Sequence, residues 1–150
     1  MANNYFQVEE LKCPCCDRNN FSLDLLGVLN SIRSAVGRPV FLNSACRCEK
    51  YDLDVALKNL RHKFVCRKML NGTLYGRAMR NECLKKRTSS HIKGLAADIR
   101  VNGSIEMDEI LREVYQFVVP VIQRVGIYFR RGCVHIDIDK NKQQGVCWGD

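Results

Sequence analysis

Ser89-Ser-His-Ile-Lys-Gly-Leu-Ala-Ala-Asp98 is the stretch from which the fold can be read. It sets a histidine, His91, and a carboxylate, Asp98, at either side of a tight, small-residue segment. Gly94 permits a turn there, positive φ included, at no side-chain cost. Ala96 and Ala97 let another backbone come close, and Ile99 and Val101 carry the segment on as a strand. A second stretch, Cys133-Val-His-Ile-Asp-Ile-Asp139, alternates cleanly. Val134, Ile136 and Ile138 fall on one face; Cys133, His135, Asp137 and Asp139 fall on the other. That period of two marks a strand with one face in the core.

Either stretch alone also reads as a strand that turns polar residues outward, with no task for its histidine. The chain has only three histidines, however, and two of them lie in these two short settings, each with an aspartate close by. His91, Asp98 and His135 together make an N, O, N ligand set. Such a set suits a zinc ion with one position left open for water.

A length of 150 residues fits one domain, 1–150, with a proper buried core. The composition, 46% hydrophobic and 27% charged, is that of a soluble globular chain. A net charge of +8 favours anionic partners: nucleic acid, anionic wall polymers or membrane surfaces. No apolar run has membrane-spanning length. The start, M-A-N-N-Y-F-Q-V-E-E, lacks the basic and apolar regions of a signal peptide. The expectation is therefore synthesis in a cytoplasm without the usual secretion route. A DNA-binding reading would rest on charge alone, since no recognisable motif accompanies it.

Nine cysteines is an odd number, so at least one stands outside any internal disulfide. Without a signal peptide, free thiols or metal ligands are the default. Cys13, Cys15 and Cys16 crowd around Pro14, and Cys46 and Cys48 form a second knot. These five thiols could hold a structural zinc or pack as small apolar residues. The spacing C-x-C-C departs from a C-x-x-C knuckle, and the expectation is packing or a redox-dependent staple.

Around these motifs the elements follow from pattern. Residues 22–36 read as a helix capped by Ser22, with Asp24 in its first turn. Its apolar stripe is Leu25, Leu26, Leu29, Ile32 and Val36, and Gly37 and Pro39 stop it. Val40 to Asn43 is a short strand, and Asn43 to Cys48 a polar turn presenting Arg47. Residues 50–88 are basic, with hints of a helix at Val55, Leu57, Leu60 and Phe64 and a turn at Asn71-Gly72. Such a face is solvated, or it holds an anionic polymer near the site. A further helix is expected over 104–119, capped by Ser104, striped by Ile110, Leu111, Val114, Tyr115 and Val118, and ended by Pro120. Gly126 to Phe129 is a strand that pairs with the His135 strand through a turn at 130–132.

At this point S-x-H-x-x-G-x-A-x-D followed by V-H-x-D resembles the zinc D-alanyl-D-alanine carboxypeptidase family, which includes phage endolysins. The helix with L-L-x-x-L, G-x-P before a short strand, N-S-x-x-R-C and the late G-I-Y follow that family's order. The resemblance covers most of the chain except about 50–88, where this sequence carries an enlarged, basic insertion. It implies an α+β fold of the Hedgehog and DD-peptidase kind, a small antiparallel sheet with helices packed on it. It implies zinc at His91, Asp98 and His135, with Ser89 and Arg47 at substrate-binding positions. It implies a zinc metallopeptidase, carboxypeptidase or endopeptidase, acting on peptidoglycan stem peptides, with a phage lysis protein as one such setting: host cytoplasm first, then cell wall. In that chemistry zinc lowers the pKa of its water to about 7 and polarises the carbonyl, Arg47 steadies the oxyanion or clamps the substrate, and a general base takes the proton.

The chain departs from the pattern at the base. Many members have an acid three positions before the third ligand, and some a histidine two positions before it; here these are Gly132 and Cys133. Asp137, on the same strand face as His135, is the candidate base or the partner that orients a ligand histidine. Two functions follow: an active peptidase, or a binding or assembly protein that keeps the zinc fold without turnover.

Overall fold

The computed structural model describes residues 5–66, 72–101, 109, 114, 116, 122 and 124–149, with side chains other than those at 64–66, 72 and 130. Four helices precede most of the sheet: α1 (Val8–Leu11), α2 (Leu23–Val36), α3 (Glu49–Cys66) and α4 (Gly72–Leu84). The strands are β1 (Val40–Ser44), β2 (Ala96–Val101), β3 (Arg124–Tyr128), β4 (Cys133–Asp137) and β5 (Val146–Gly149). This mixed composition is compatible with an α+β arrangement. The helix expected over 104–119 lies outside the described residues apart from Glu109, Val114 and Gln116, which are helical.

α2 shows how local chemistry sets the element. The Ser22 hydroxyl accepts the Leu25 N–H at the start, and Gly37, at φ 65°, closes the end by donating its N–H to the Arg33 carbonyl. A left-handed residue at that place favours glycine. Between these caps Leu25, Leu29, Ile32 and Val36 are buried. They share one core with Val40, Ala97, Ile99, Val101, Val114, Val125, Val134 and Ile136. The expected stripe and the expected strand faces therefore meet.

The sheet order is β1-β2-β4-β3-β5. The first four strands pair antiparallel, and β3 and β4 form the expected hairpin across a 3-10 turn at Phe129–Arg131 closed by Gly132. The sheet is not wholly antiparallel, because β5 pairs with β3 in parallel. The cause is the chain path. After β4 the chain reverses, with Gly145 at φ 68°, but lands beyond β3 and so runs in the direction of β3. The basic stretch beyond Cys48 folds as α3 and α4, which pack on each other. No helix among the described residues is long and apolar enough to cross a membrane.

The register produces one polar row across the whole sheet. Ser44 pairs with Asp98, Asp98 with His135, His135 with Gly126, and Gly126 with Trp148. Residues opposite one another across strands share a face, with Cβ atoms about 4.5–5.5 Å apart. In β2 and β4 the alternate residues, Ala97, Ile99, Val134 and Ile136, face the core. The row thus lies on the side turned away from the apolar cluster.

Candidate metal centre

Asp98 stands in this row beside His135 and collects three cationic or imidazole groups. His135 Nδ1 lies 2.7 Å from Asp98 Oδ1. His91 Nε2 lies 3.5 Å from Asp98 Oδ2, and Arg47 donates to the same oxygen at 3.0 Å. The ligand atoms of His91, Asp98 and His135 all lie within 4.8 Å of one another. Burial pushes the Asp98 carboxyl upward, but hydrogen bonds from His135 and His91 outweigh it and hold the group well below the usual carboxylate range. A permanently ionised carboxylate is what a cation site needs.

His91 reaches Asp98 from the turn before β2. Gly94, at φ 73°, closes that turn, and its N–H donates to the His91 carbonyl at 3.2 Å. A Cβ on Gly94 would stand 2.0 Å from the Asn20 carbonyl oxygen. The glycine expected as a turn former is thus required twice, for its backbone angle and for the close approach of residue 20. His91 itself is 4% exposed. Its Nδ1 is 2.8 Å from the Ala45 carbonyl, which only accepts. Nδ1 therefore donates to that carbonyl, and Nε2 is the nitrogen turned toward Asp98. A metal-ligating histidine is oriented in this way, by donating its other N–H to a carbonyl. The donor set, its packing and this ring orientation fit a zinc ion.

Arg47 is not presented to solvent as its polar turn suggested. Its side chain is 13% exposed and pairs with both Asp98 and Asp52, the latter at 3.5 Å. Its Nε donates to Ser44 Oγ at 2.8 Å, and its backbone N–H donates to the His91 carbonyl at 3.2 Å. Asp52 belongs to α3 and also faces Arg87 at 4.0 Å, so the basic stretch touches the site through both its ends. Ser89 lies in the His91 turn and accepts the His91 N–H on its hydroxyl at 3.3 Å. That contact shapes the turn.

Asp137 is placed differently from the expectation. It shares the sheet face of His135, yet its carboxylate is 2% exposed and already engaged. It accepts from Ser90 Oγ at 2.9 Å, the Asp139 N–H at 2.9 Å and Arg124 Nε at 3.3 Å, with Lys142 Nζ at 3.6 Å. The ring nitrogen of His91 that would need an orienting partner has found the Ala45 carbonyl instead. Gly132 explains the missing acid: it holds φ 60° at the hairpin turn, a conformation costing an ordinary residue about 1–2 kcal/mol.

Trp148 was not singled out in the sequence, and it forms a wall of the site. Its ring lies 5.5 Å from that of His135, and its Nε1 donates to Tyr128 Oη at 2.9 Å. Gly126 makes room, since a Cβ there would come within 2.7 Å of Trp148 Nε1. The available signal was the alternation of V-C-W-G after a glycine turn, in the chain's only tryptophan-bearing segment.

A second group of possible ligands, Cys13, Cys15, Cys16 and Cys48, also converges. The expected packing role fits Cys46, which is fully buried and donates to Asn20 Oδ1 at 2.5 Å. It does not describe Cys15 and Cys16, which are exposed. The overlooked signal was that Cys13 and Cys16 stand at C-x-x-C spacing, with Cys15 between them.

In comparisons with known proteins, no family model, curated protein or solved structure matches the chain.

Proposed function

We propose that the chain is a zinc-dependent peptidase that hydrolyses peptide bonds in peptidoglycan stem peptides. The observation that carries this reading is the convergence of His91, Asp98 and His135 with the His91 ring oriented by the Ala45 carbonyl. His91 Nε2, the Asp98 carboxylate and His135 Nδ1 would hold the ion. When bound, zinc supplies a Lewis acid for the scissile carbonyl and an activated water. The resemblance of S-x-H-x-x-G-x-A-x-D and V-H-x-D to D-alanyl-D-alanine carboxypeptidases supports the choice of substrate.

The remaining work falls to the chain's own side chains. Asp98 stays anionic beside both imidazoles, and the Ala45 carbonyl orients the His91 ring. Arg47, tied to Ser44 and Asp52, offers a fixed guanidinium beside the site that can meet a substrate carbonyl or carboxylate. Trp148, beside His135 and hydrogen-bonded to Tyr128, forms a wall on one side. The test is incubation with defined muropeptides, with and without chelator, read by mass spectrometry. Cleavage that stops with chelator and returns with zinc supports the reading; intact muropeptide from zinc-loaded protein refutes it.

One observation favours a second reading, a zinc-fold binding or assembly protein without turnover. The acid expected as base, Asp137, is committed to Ser90, Arg124 and Lys142. On that reading zinc-loaded protein retains muropeptide or wall polymer in a pull-down and releases no product.

A further inference from the structure

The turn C-P-C-C at 13–16 and the residue before α3 bring four sulfurs together. Cys13 donates its N–H to the Arg18 carbonyl at 2.8 Å, and its own carbonyl accepts the Asp17 N–H at 3.1 Å. Asp17 sits at φ 54°, completing a tight loop that points Cys13, Cys15 and Cys16 toward Cys48. The Sγ atoms of Cys13 and Cys15 are 3.6 Å apart, and those of Cys15 and Cys48 are 3.2 Å apart. A disulfide would need about 2.05 Å. Four sulfurs around a tetrahedral zinc at about 2.3 Å stand about 3.8 Å from one another. The observed separations lie near the second value.

Backbone amides already face the sulfurs. The Cys48 N–H donates to Cys13 Sγ at 3.2 Å, and the Tyr51 N–H, in the first turn of α3, donates to Cys48 Sγ at 3.4 Å. Metal-bound sulfurs accept backbone hydrogen bonds of this kind, which orient them toward the ion. All four ligands come from the protein, which leaves no open position; such closed sulfur sites are structural.

We propose that Cys13, Cys15, Cys16 and Cys48 bind a structural zinc ion, separate from the one at His91, Asp98 and His135. Binding releases the thiol protons to solvent. The ion would clamp the N-terminal segment to the loop carrying Arg47, because Cys48 follows Arg47 directly. It thereby holds the guanidinium against Asp98.

The test is zinc X-ray absorption with metal analysis on reduced, full-length protein, as wild type and as His91→Ala. His91→Ala is expected to keep one zinc per chain with an all-sulfur shell at about 2.3 Å. Wild type is expected to hold two zinc ions whose averaged shell is half sulfur. A single zinc with only nitrogen and oxygen neighbours overturns the cysteine site while leaving the histidine site standing. A single all-sulfur zinc in wild type does the reverse. Cys48→Ser is expected to lose one zinc equivalent. Should that variant fail to fold, the wild-type shell decides alone; a disulfide between Cys15 and Cys48 in freshly purified, unreduced protein, seen by mass spectrometry, also overturns the proposal.

Discussion

Replacing Asp137 by asparagine separates two roles for that residue. Its Oδ2 faces Ser90 Oγ, Arg124 Nε and Lys142 Nζ, and its Oδ1 takes the Asp139 N–H. Asn keeps the second contact but sets a neutral amide against two cations. A hydrogen bond to a charged group is worth about 1.5–3 kcal/mol. Lys142 is 31% exposed and partly screened, whereas Arg124 is 14% exposed. The expected loss is therefore about 2–3 kcal/mol, chiefly through Arg124. In a chain of this size each kcal/mol moves Tm by about 2–4 °C, so Asp137→Asn should melt roughly 4–12 °C lower. Urea unfolding gives the free energy, and zinc content and muropeptide turnover are read on the folded protein at low temperature. The structure predicts reduced stability with zinc retained and turnover per folded molecule largely intact. Unchanged stability with abolished turnover would refute this reasoning and restore Asp137 as the base.

Gly94→Ala should be among the most damaging single-methyl additions, since the new Cβ meets the Asn20 carbonyl at 2.0 Å and the left-handed backbone adds about 1–2 kcal/mol; a melting curve matching wild type would contradict it. Arg47→Ala leaves Asp98 and Asp52 without their shared cation, and removing one partner of a buried pair costs about 3–5 kcal/mol. Arg47→Lys keeps the charge but loses the fork to Ser44, so urea midpoints should rank wild type, Lys, Ala; equal midpoints would place Arg47 outside the fold's support. Asp139 is buried, which raises its pKa, yet the Lys93 ammonium at 2.7 Å, the Asn141 N–H and Lys142 together outweigh burial and hold it below the usual range. A depressed carboxylate stabilises fully above its ordinary pKa, about 3.9, and loses that contribution as pH falls through the lower folded value. Lys93→Met should therefore begin acid unfolding at a higher pH than wild type; coincident acid transitions would show that the pair carries no linkage.

The strand faces were legible because alternation is a direct consequence of the pleat: Val134 and Ile136 went to the core and His135 to the other side. The caps of α2 were legible because Ser22 and Gly37 each do a job that few residues do well. The meeting of Asp98 with His135 was not readable from spacing. It depends on β2 and β4 being neighbours in a particular register, which one sequence does not specify. The burial of Arg47 was not legible, because a polar turn says nothing about what folds over it, here Asp52 five residues on. The partners of Asp137 were not legible, because strand position fixes a face but not what reaches it, here Ser90, Arg124 and Lys142. The parallel β5, and with it Trp148 over Gly126, depended on where a short tail lands after one reversal. The cysteines were read by the wrong pair of intervals, and only the fold brought Cys48 to Cys13, Cys15 and Cys16.

The proposed function stands on zinc held by His91, Asp98 and His135. Metal analysis of wild-type and His91→Ala protein, purified together, tests it most directly, because removal of Nε2 leaves only two of the three ligands. His91→Ala should contain one zinc per chain fewer than wild type while remaining folded by circular dichroism. Equal zinc in the two folded proteins would contradict it.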